Sequence, residues 1–470
     1  MTRTGSSSTR LPGVFLEIDM PFLLVPNEVE AATATVWIGV INEGTAFDQG
    51  TLRLSCNGQD KPIPAMPATY ETGSKLNNIR HVYFKVEGLE PATNYLFELF
   101  HDGNSVSVCN TRTLPADLPF LGEHPFTVLL SSCFCASEPN SSAIGNTYFN
   151  LLIQDRPDIK ILCGDQVYLD APALNFVIPK SDKRLEDTHF ANYVDTWTQE
   201  GFPFGNKFFL QNGANFFSAD DHEFWNNAPD FASFLPDTFS PEGRETWWKF
   251  ASDFFRIFQT EKSVKKFEVG PVSFFMLDTR VKRDPGRENF ITADDRNDLE
   301  NWINGLAGIG VLVIGQPVFS VKAGPVASVI ADKSLPNYKQ YEDLAGILSR
   351  TRRSIIVLTG DVHFSRLSEC RLLNGKSIYE VISSPSRLVS WLAKGDWEKS
   401  PDDFPAVAVE DVFGGKIATN DLHQLSEDHF LTLGFVRDGG AVTVIIKAVK
   451  IAKTGQPPEP VEIARWNFLL

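Results

Sequence analysis

Six short apolar runs, each halted by a polar cluster, limit the folds open to this chain more than any other feature. FTVLLS runs into SCFC from Phe126, IKILC into GDQVYLD from Ile159, and NFFSA into DDHEFWNN from Asn215. SFFML runs into DTR from Ser273, VLVI into GQP from Val311, and SIIVLT into GDVHFS from Ser354. Runs of this length are too short for helices and suit strands buried on both faces. Four stretches with apolar side chains at helical spacing lie between them. These are 144–155 (Ile144, Tyr148, Leu151, Leu152), 241–258 (Trp247, Phe250, Ala251 and Phe254 after Pro241), 293–306 (Leu299, Trp302, Ile303, Leu306) and 338–350 (Tyr341, Leu344, Ala345, Leu348). Strands alternating with helices predict an α/β layered domain. The hairpin pattern FLTLGFV-RDGG-AVTVIIKAV from Phe430 makes part of its sheet antiparallel, so the sheets are mixed and flanked by helices.

The chain before these runs reads differently. ATVWIGV (34–40), TLRLSC (51–56), HVYFKVEG (81–88) and NYLFELF (94–100) are strands separated by turn-rich pieces, which predicts a small all-β sandwich over 14–113. Its segment Leu89-Glu90-Pro91-Ala92-Thr93-Asn94-Tyr95 resembles the tyrosine corner of fibronectin and immunoglobulin-like sandwiches. TRTLPADLP (111–119) reads as a linker, 124–450 as the layered domain, and 451–470 as a C-terminal extension.

Composition narrows the functional classes. With 43% hydrophobic and 22% charged residues the chain has enough apolar material for a core and is not a disordered one. Its formal net charge of −16 argues against a nucleic-acid backbone as partner, except as a small substrate. No apolar run reaches the ~18 residues of a membrane span. The six cysteines follow no disulfide framework or zinc spacing, and Cys133-x-Cys135 is closer than the usual redox pair. MTRTGSSSTRLPG contains no apolar export region, so the chain as written reads as cytoplasmic unless a leader is missing.

In open α/β sheets, sites lie beyond the carboxyl ends of the strands. Here those ends present Cys133, Asp165 with Tyr168, Asp220 with Asp221 and His222, Asp278, Gln316, and Asp361 with His363. One such Asp or His is unremarkable. Together they crowd carboxylates at a cost that cations relieve, and two adjacent cations are the simplest solution. A pair of metals stabilises both oxygens of an in-line displacement at phosphorus. Carboxylates favour calcium, magnesium or manganese, whereas phenolate, thiolate and imidazole suit iron, so this mixed set implies one harder and one softer position.

The motifs Ser132-Cys133, Gly164-Asp165-Gln166-Val167-Tyr168, Asp220-Asp221-His222-Glu223 with Asn226-Asn227, Leu277-Asp278-Thr279-Arg280, Gly315-Gln316-Pro317 and Gly360-Asp361-Val362-His363 occur in an order that resembles one family. It is the PhoD-like alkaline phosphatases and phosphodiesterases of the metallophosphoesterase superfamily, whose metal site is related to that of the purple acid phosphatases. The resemblance implies a metallophosphoesterase layered sandwich preceded by the small all-β domain. It implies ferric iron with one or two calcium ions, zinc or manganese being the alternatives.

By the same resemblance, Asp165 bridges the metals. Cys133, Tyr168 and His363 serve the iron, while Asp221 and Asp361 serve the harder metal. For Tyr168 the ligand role is favoured over that of a packed rim aromatic. His222 would donate a hydrogen bond to the transferring group or a proton to the leaving oxygen. Arg280 either clamps a phosphate oxygen or holds Asp278 in an ion pair. Asp220, Asn226 and Asn227 either support the ligands or stabilise the loop. Cys135 has no role in the pattern, and Cys163 reads as a small buried hydrophobe. Gln316 and Asp361 stand where most of the superfamily has histidine, which favours calcium over zinc at the second position.

The implied reaction is phosphate-ester hydrolysis by a metal-bound hydroxide, with inversion at phosphorus and no covalent intermediate. The activity implied is that of an alkaline phosphatase with phosphodiesterase capacity. A dedicated phosphodiesterase of phospholipase D-like specificity is the alternative, followed by a binding protein with a vestigial metal site. Relatives are commonly periplasmic or secreted, in tension with the missing leader. The aromatic set Phe190, Tyr193, Trp197, Phe202, Phe204, Phe208, Phe209, Trp247 and Trp248 reads mostly as core, with part as a lip over the substrate. No serine-hydrolase, Walker or dinucleotide motif competes.

Overall fold

The computed structural model describes residues 22–41, 49–66, 79–168, 182–232, 235–322, 334–387, 400–404, 415–419, 427–451 and 459–470. The expected sandwich residues before Phe22, and the Leu169-Asp170 end of the GDQVYLD segment, lie outside these.

Two antiparallel sheets form the N-terminal sandwich. One contains β1 (Phe22–Val29), β2 (Thr33–Ile41) and β5 (Ile79–Glu87). The other orders β4 (Gln59–Lys61), β3 (Leu52–Cys56), β6 (Asn94–His101) and β7 (Asn104–Arg112). Leu24, Val36, Leu54, Phe97 and Cys109 alternate inward and meet between them. The tyrosine corner is present: the Glu90 N–H donates to the Tyr95 hydroxyl at 2.8 Å.

The layered domain is built on two mixed sheets. The first runs β10 (Ala214–Ser218), β9 (Ile159–Cys163), β8 (Phe126–Ser131), β19 (His429–Asp438), β20 (Ala441–Lys450), β21 (Val461–Leu469). Strands β8, β9 and β10 are parallel, and the predicted hairpin follows as β19–β20, antiparallel to β8. The C-terminal stretch supplies the edge strand β21. The second sheet orders β11 (Val264–Val269), β12 (Val272–Leu277), β13 (Gly310–Val313), β14 (Ile355–Thr359), β16 (Ser377–Ile382), β15 (Arg366–Arg371), β18 (Gly415–Thr419) and β17 (Asp403–Phe404). Within it, β12, β13, β14 and β16 are parallel.

The period-two alternation of a strand divides each apolar run between two cores. Val128, Leu130, Ile161 and Phe216 face Phe274, Met276, Val311 and Leu358 between the sheets. Leu129, Leu162 and Phe217 face outward onto α1 (Ala143–Gln154), α2 (Asp182–Thr198), α3 (Asn206–Gln211) and α4 (Pro241–Phe258). Phe275, Leu312 and Val357 face α5 (Ala293–Gly305) and α6 (Tyr341–Ser349). Burial on both faces is why the runs are continuously apolar. Helix α4 starts where its sequence says: Ser240 caps it, accepting the Gly243 N–H at 3.0 Å, and Pro241 occupies the first helical position. Its other end is closed by the sandwich. Trp37 Nε1 donates to the Ile257 carbonyl at 2.6 Å, and the Tyr83 hydroxyl donates to the Arg256 and Ile257 carbonyls at 3.0 and 3.1 Å. Among the described residues no helix is long and apolar enough to cross a membrane.

Candidate metal centre

The parallel strands of both sheets end at one edge, and the turns there are tight. Cys133, Asp165, Asp361 and His363 follow β8, β9 and β14 directly and hold φ values of 57°, 56°, 69° and 56°. Left-handed backbone at such residues costs about 1–3 kcal/mol each and persists where the surroundings enforce it. The enforcement is close approach. A Cβ on Gly164 would lie 2.5 Å from the Asp220 Cβ, and one on Gly360 would lie 2.4 Å from the Ser132 Cβ. Only glycine lets these strand exits crowd together.

Donor atoms of Cys133, Asp165 and His363 lie within 4.8 Å of one another, as do those of Asp165, Asp221 and His222, and those of Asp220, Asp221 and Asp361. Asp165 therefore belongs to two groups, and Asp361 joins Asp220 and Asp221 in the third, with its backbone carbonyl 3.4 Å from the Cys133 thiol. The Tyr168 hydroxyl adjoins the first group, 3.3 Å from Asp165 Oδ2 and 3.4 Å from His363 Nε2. The His222 ring stacks on the Tyr168 ring at 4.1 Å, and the His222 N–H donates to Asp165 Oδ1 at 3.2 Å.

Several further side chains hold these residues in place. The buried Glu223 carboxylate accepts the N–H groups of Asp165, Gln166 and Asp220 at 2.9, 2.6 and 2.9 Å, and Gln259 Nε2 at 3.2 Å. It thus clamps the β9 and β10 exits together. The Ser384 hydroxyl, beyond β16, lies 3.0 Å from the Cys133 thiol and accepts the His363 N–H at 2.9 Å. Asn227 gives its N–H to Asp221 Oδ2 at 2.6 Å. A Glu three residues after Asp220 is a capping-box signal that points to the first of these roles. The serine depends on which loops meet in space.

Arg280 has a partner that neither sequence reading gave it. It is fully buried, with Nε 2.5 Å from Asp220 Oδ1, Nη1 2.8 Å from the Ala228 carbonyl and Nη2 3.9 Å from Asp221 Oδ1. Asp278 takes the backbone N–H groups of Arg280 and Val281 instead of the guanidinium, at 2.7 and 2.8 Å. Gln316 donates from Nε2 to Asp361 Oδ2 at 2.9 Å. Cys163 packs in the inter-sheet core, and Cys135 is buried beside Cys133 and Tyr168 with its sulfur 3.3 Å from the Ser137 hydroxyl.

No protein-family model matches this chain, and no curated protein sequence matches it. Solved structures do. The structure of PhoD aligns over 94% of this chain and 91% of its own at 16% identity, with a TM-score of 0.59. The purple acid phosphatase PPD1 from yellow lupin (Lupinus luteus) seeds aligns over 94% of this chain and 73% of its own at 13% identity, with a TM-score of 0.55. The chain has the fold of PhoD and of that purple acid phosphatase.

Within the PhoD-like fold, burial sets the charges of the candidate ligands. Desolvation, with the neighbouring Cys133, Asp221 and Asp220, drives the Asp165 carboxyl well above the usual carboxylate range. Desolvation and Asp361 push the Cys133 thiol up to about 12, and desolvation with Asp165 and Cys133 pushes the Tyr168 phenol well above its ordinary value. Desolvation and His222 lower His363 to about 4, leaving a neutral imidazole. The three raised values follow from packing acids together in a dry site, and a cation reverses them because it favours the deprotonated ligand, as it does the neutral His363 imidazole. The residues fit such an ion. Thiol, phenol, imidazole and carboxylate lie together around Cys133, Asp165 and His363, and carboxylates around Asp220, Asp221 and Asp361. Most of the named aromatic set is core: Tyr193, Trp197, Phe209 and Trp247 are buried against α2, α4 and the sheet. Phe202 is 96% exposed, and Phe204 and Phe208 pack against Phe149 on α1 in tilted and edge-on contacts.

Proposed function

We propose that this protein is a metal-dependent phosphoester hydrolase of the alkaline phosphatase type that also accepts diesters. The observation that carries this reading is the position of Asp165, whose carboxylate belongs to two donor groups each within 4.8 Å at the carboxyl edge of the PhoD-like fold. In this reading Cys133, Tyr168 and His363 would hold ferric iron, Asp221 and Asp361 would hold calcium, and Asp165 would serve both. Zinc or manganese are the alternatives. Two such ions, when bound, supply Lewis acidity at a phosphoryl oxygen and acidify a coordinated water.

The chain's own residues do the rest. His222, fixed by its stack on Tyr168 and its backbone bond to Asp165, donates a hydrogen bond or proton at the ester's leaving oxygen. Arg280 keeps Asp220 and the DDHE turn in register and so acts through Asp221 rather than on the substrate. Glu223 holds the two exits at fixed separation, which preorganises Asp165 against Asp221.

The test is elemental analysis and a visible spectrum of protein purified without chelator, followed by hydrolysis of p-nitrophenyl phosphate and bis(p-nitrophenyl) phosphate side by side. Stoichiometric metal with turnover of both esters is expected. Turnover of the diester alone would make the protein a dedicated phosphodiesterase. A fully metallated protein that cleaves neither ester would leave only binding and overturn the proposal.

A further inference from the structure

A second concavity lies at the opposite edge of the layered domain from the metal centre, where the sandwich packs against it. Arg156 and Asn212 precede β9 and β10, whose far ends lead to Asp165 and Asp220, and the five residues of β9 set about 16 Å between the two edges. The cavity, of about 390 Å³, is lined by Arg156 and Asn212 from the layered domain and by Asn57, Asn94, Tyr95 and Asn110 from the sandwich. Boundaries between packed units are where small-molecule sites commonly form, at volumes of roughly 300–1,000 Å³.

Its polar groups are fixed in place and in polarity. The Asn212 carbonyl accepts the Tyr148 hydroxyl and Lys160 Nζ, each at 2.7 Å, and the Gly213 N–H donates to the Asn110 carbonyl at 2.8 Å. Asn212 Nδ2 donates to the Phe208 carbonyl at 2.7 Å, so the Asn212 amide oxygen faces Asn110 and takes its Nδ2 at 2.5 Å. Asn110 thus keeps its amide oxygen as an acceptor. Asn57 is set the other way: its Oδ1 takes the Leu96 N–H at 2.8 Å, which leaves the NH2 end to donate. The Tyr95 ring is anchored by the bond from the Glu90 N–H to its hydroxyl.

Arg156 is half-buried, and among the described residues no carboxylate pairs with it. The acids nearest in sequence are engaged elsewhere, Asp155 with Lys447 and Asp158 with Arg112. In a chain of net charge −16, a guanidinium left without an acid at a cavity wall is a place for the anionic group of a ligand. One guanidinium among four amides specifies a single negative charge beside several hydroxyls. A hydroxyl both donates and accepts, matching the Asn57 NH2 and the Asn110 oxygen, whereas a polyphosphate backbone would require several cations.

We propose that this cleft is an accessory binding site for an acidic saccharide. Arg156 takes the carboxylate of a uronic acid, the asparagines take its hydroxyls, and the Tyr95 ring packs against its carbon face.

The experiment is calorimetric titration of the full chain, purified without chelator, with glucuronic acid, with glucose and with N-acetylglycine, which has a carboxylate and an amide but no hydroxyl. Glucuronic acid is expected to bind roughly tenfold or more tightly than either of the others, because only it engages both the guanidinium and the amides. Arg156→Met is expected to lower its affinity roughly 10- to 100-fold, the effect of losing a charge-assisted hydrogen bond, and to leave that of glucose unchanged. Asn94→Ala, on a different element, is expected to weaken both sugars roughly 3- to 10-fold, and it decides the matter if Arg156→Met does not fold. Absence of glucuronic acid binding, or binding that survives both substitutions as it would at the metal centre, overturns the proposal. N-acetylglycine binding as tightly as glucuronic acid also overturns it, in favour of a peptide terminus.

Discussion

At the scale of single residues, the centre is an arrangement of groups that would repel one another without a partner ion. Asp165 stands where that conflict is greatest, so Asp165→Asn is expected to abolish stoichiometric metal binding and ester hydrolysis together, as read by elemental analysis and a chromogenic ester. Tyr168→Phe removes the phenolate that would give ferric iron its visible colour. Loss of that absorption band with the fold retained is the expected result, and a surviving band would assign the phenolate to another tyrosine. His222→Ala should retain metal and lower kcat by roughly two to four orders of magnitude. The candidate residues that come together here were legible in the sequence because each follows an apolar run that marks a strand end. The partners of Arg280 and Arg283 were not, because Asp220 and Gln316 lie 60 and 33 positions away and are brought close only by the packing of the two sheets.

Among the elements, α4 was read from its sequence to within its observed ends because its cap, its first-turn proline and its apolar face all agree. Ser240→Ala is expected to cost about 1 kcal/mol of stability in urea unfolding. Phe254→Ala, at the centre of its buried face, should cost about 3–5 kcal/mol. Helix α2 was read only as aromatic density, since Asp, Glu, Lys and Arg obscure its stripe of Leu185, His189, Tyr193 and Trp197. That stripe has a pH signature. His189 is buried, donates from Nδ1 to the Leu185 carbonyl at 2.9 Å, and is held by desolvation at about 4 against an ordinary 6.5. Between those values the unfolded chain takes up the proton and the folded chain does not. Stability is therefore full above the unfolded value and falls as the pH drops toward 4. For this one residue the loss from pH 7 to pH 5 amounts to about 2 kcal/mol, and His189→Phe should flatten the slope of unfolding free energy against pH by that amount.

The molecule as a whole does not divide where its sequence texture changes. The sandwich was legible from alternation, and the layered domain from apolar runs, but β1 and β21 carried too little pattern to be named. The bonds from the sandwich to the end of α4 were invisible because they use backbone carbonyls as acceptors. One apolar core extends from Leu24, Val36 and Phe97 of the sandwich through Phe126 and Ile161 to Phe274 and Leu358. A single calorimetric unfolding transition is expected in place of two, and Trp37→Phe, which removes the bond to the Ile257 carbonyl, should lower stability by about 1 kcal/mol. Two residues beyond that carbonyl is Gln259, which supports Glu223, which in turn holds the backbone of Asp165. The N-terminal sandwich is thus tied to the chemistry through the last turn of one helix. Its consequence is for inheritance: the sandwich is not a portable module, and a recombination that exchanged it would have to bring matching donors for the end of α4 or surrender the geometry of the distant carboxylates.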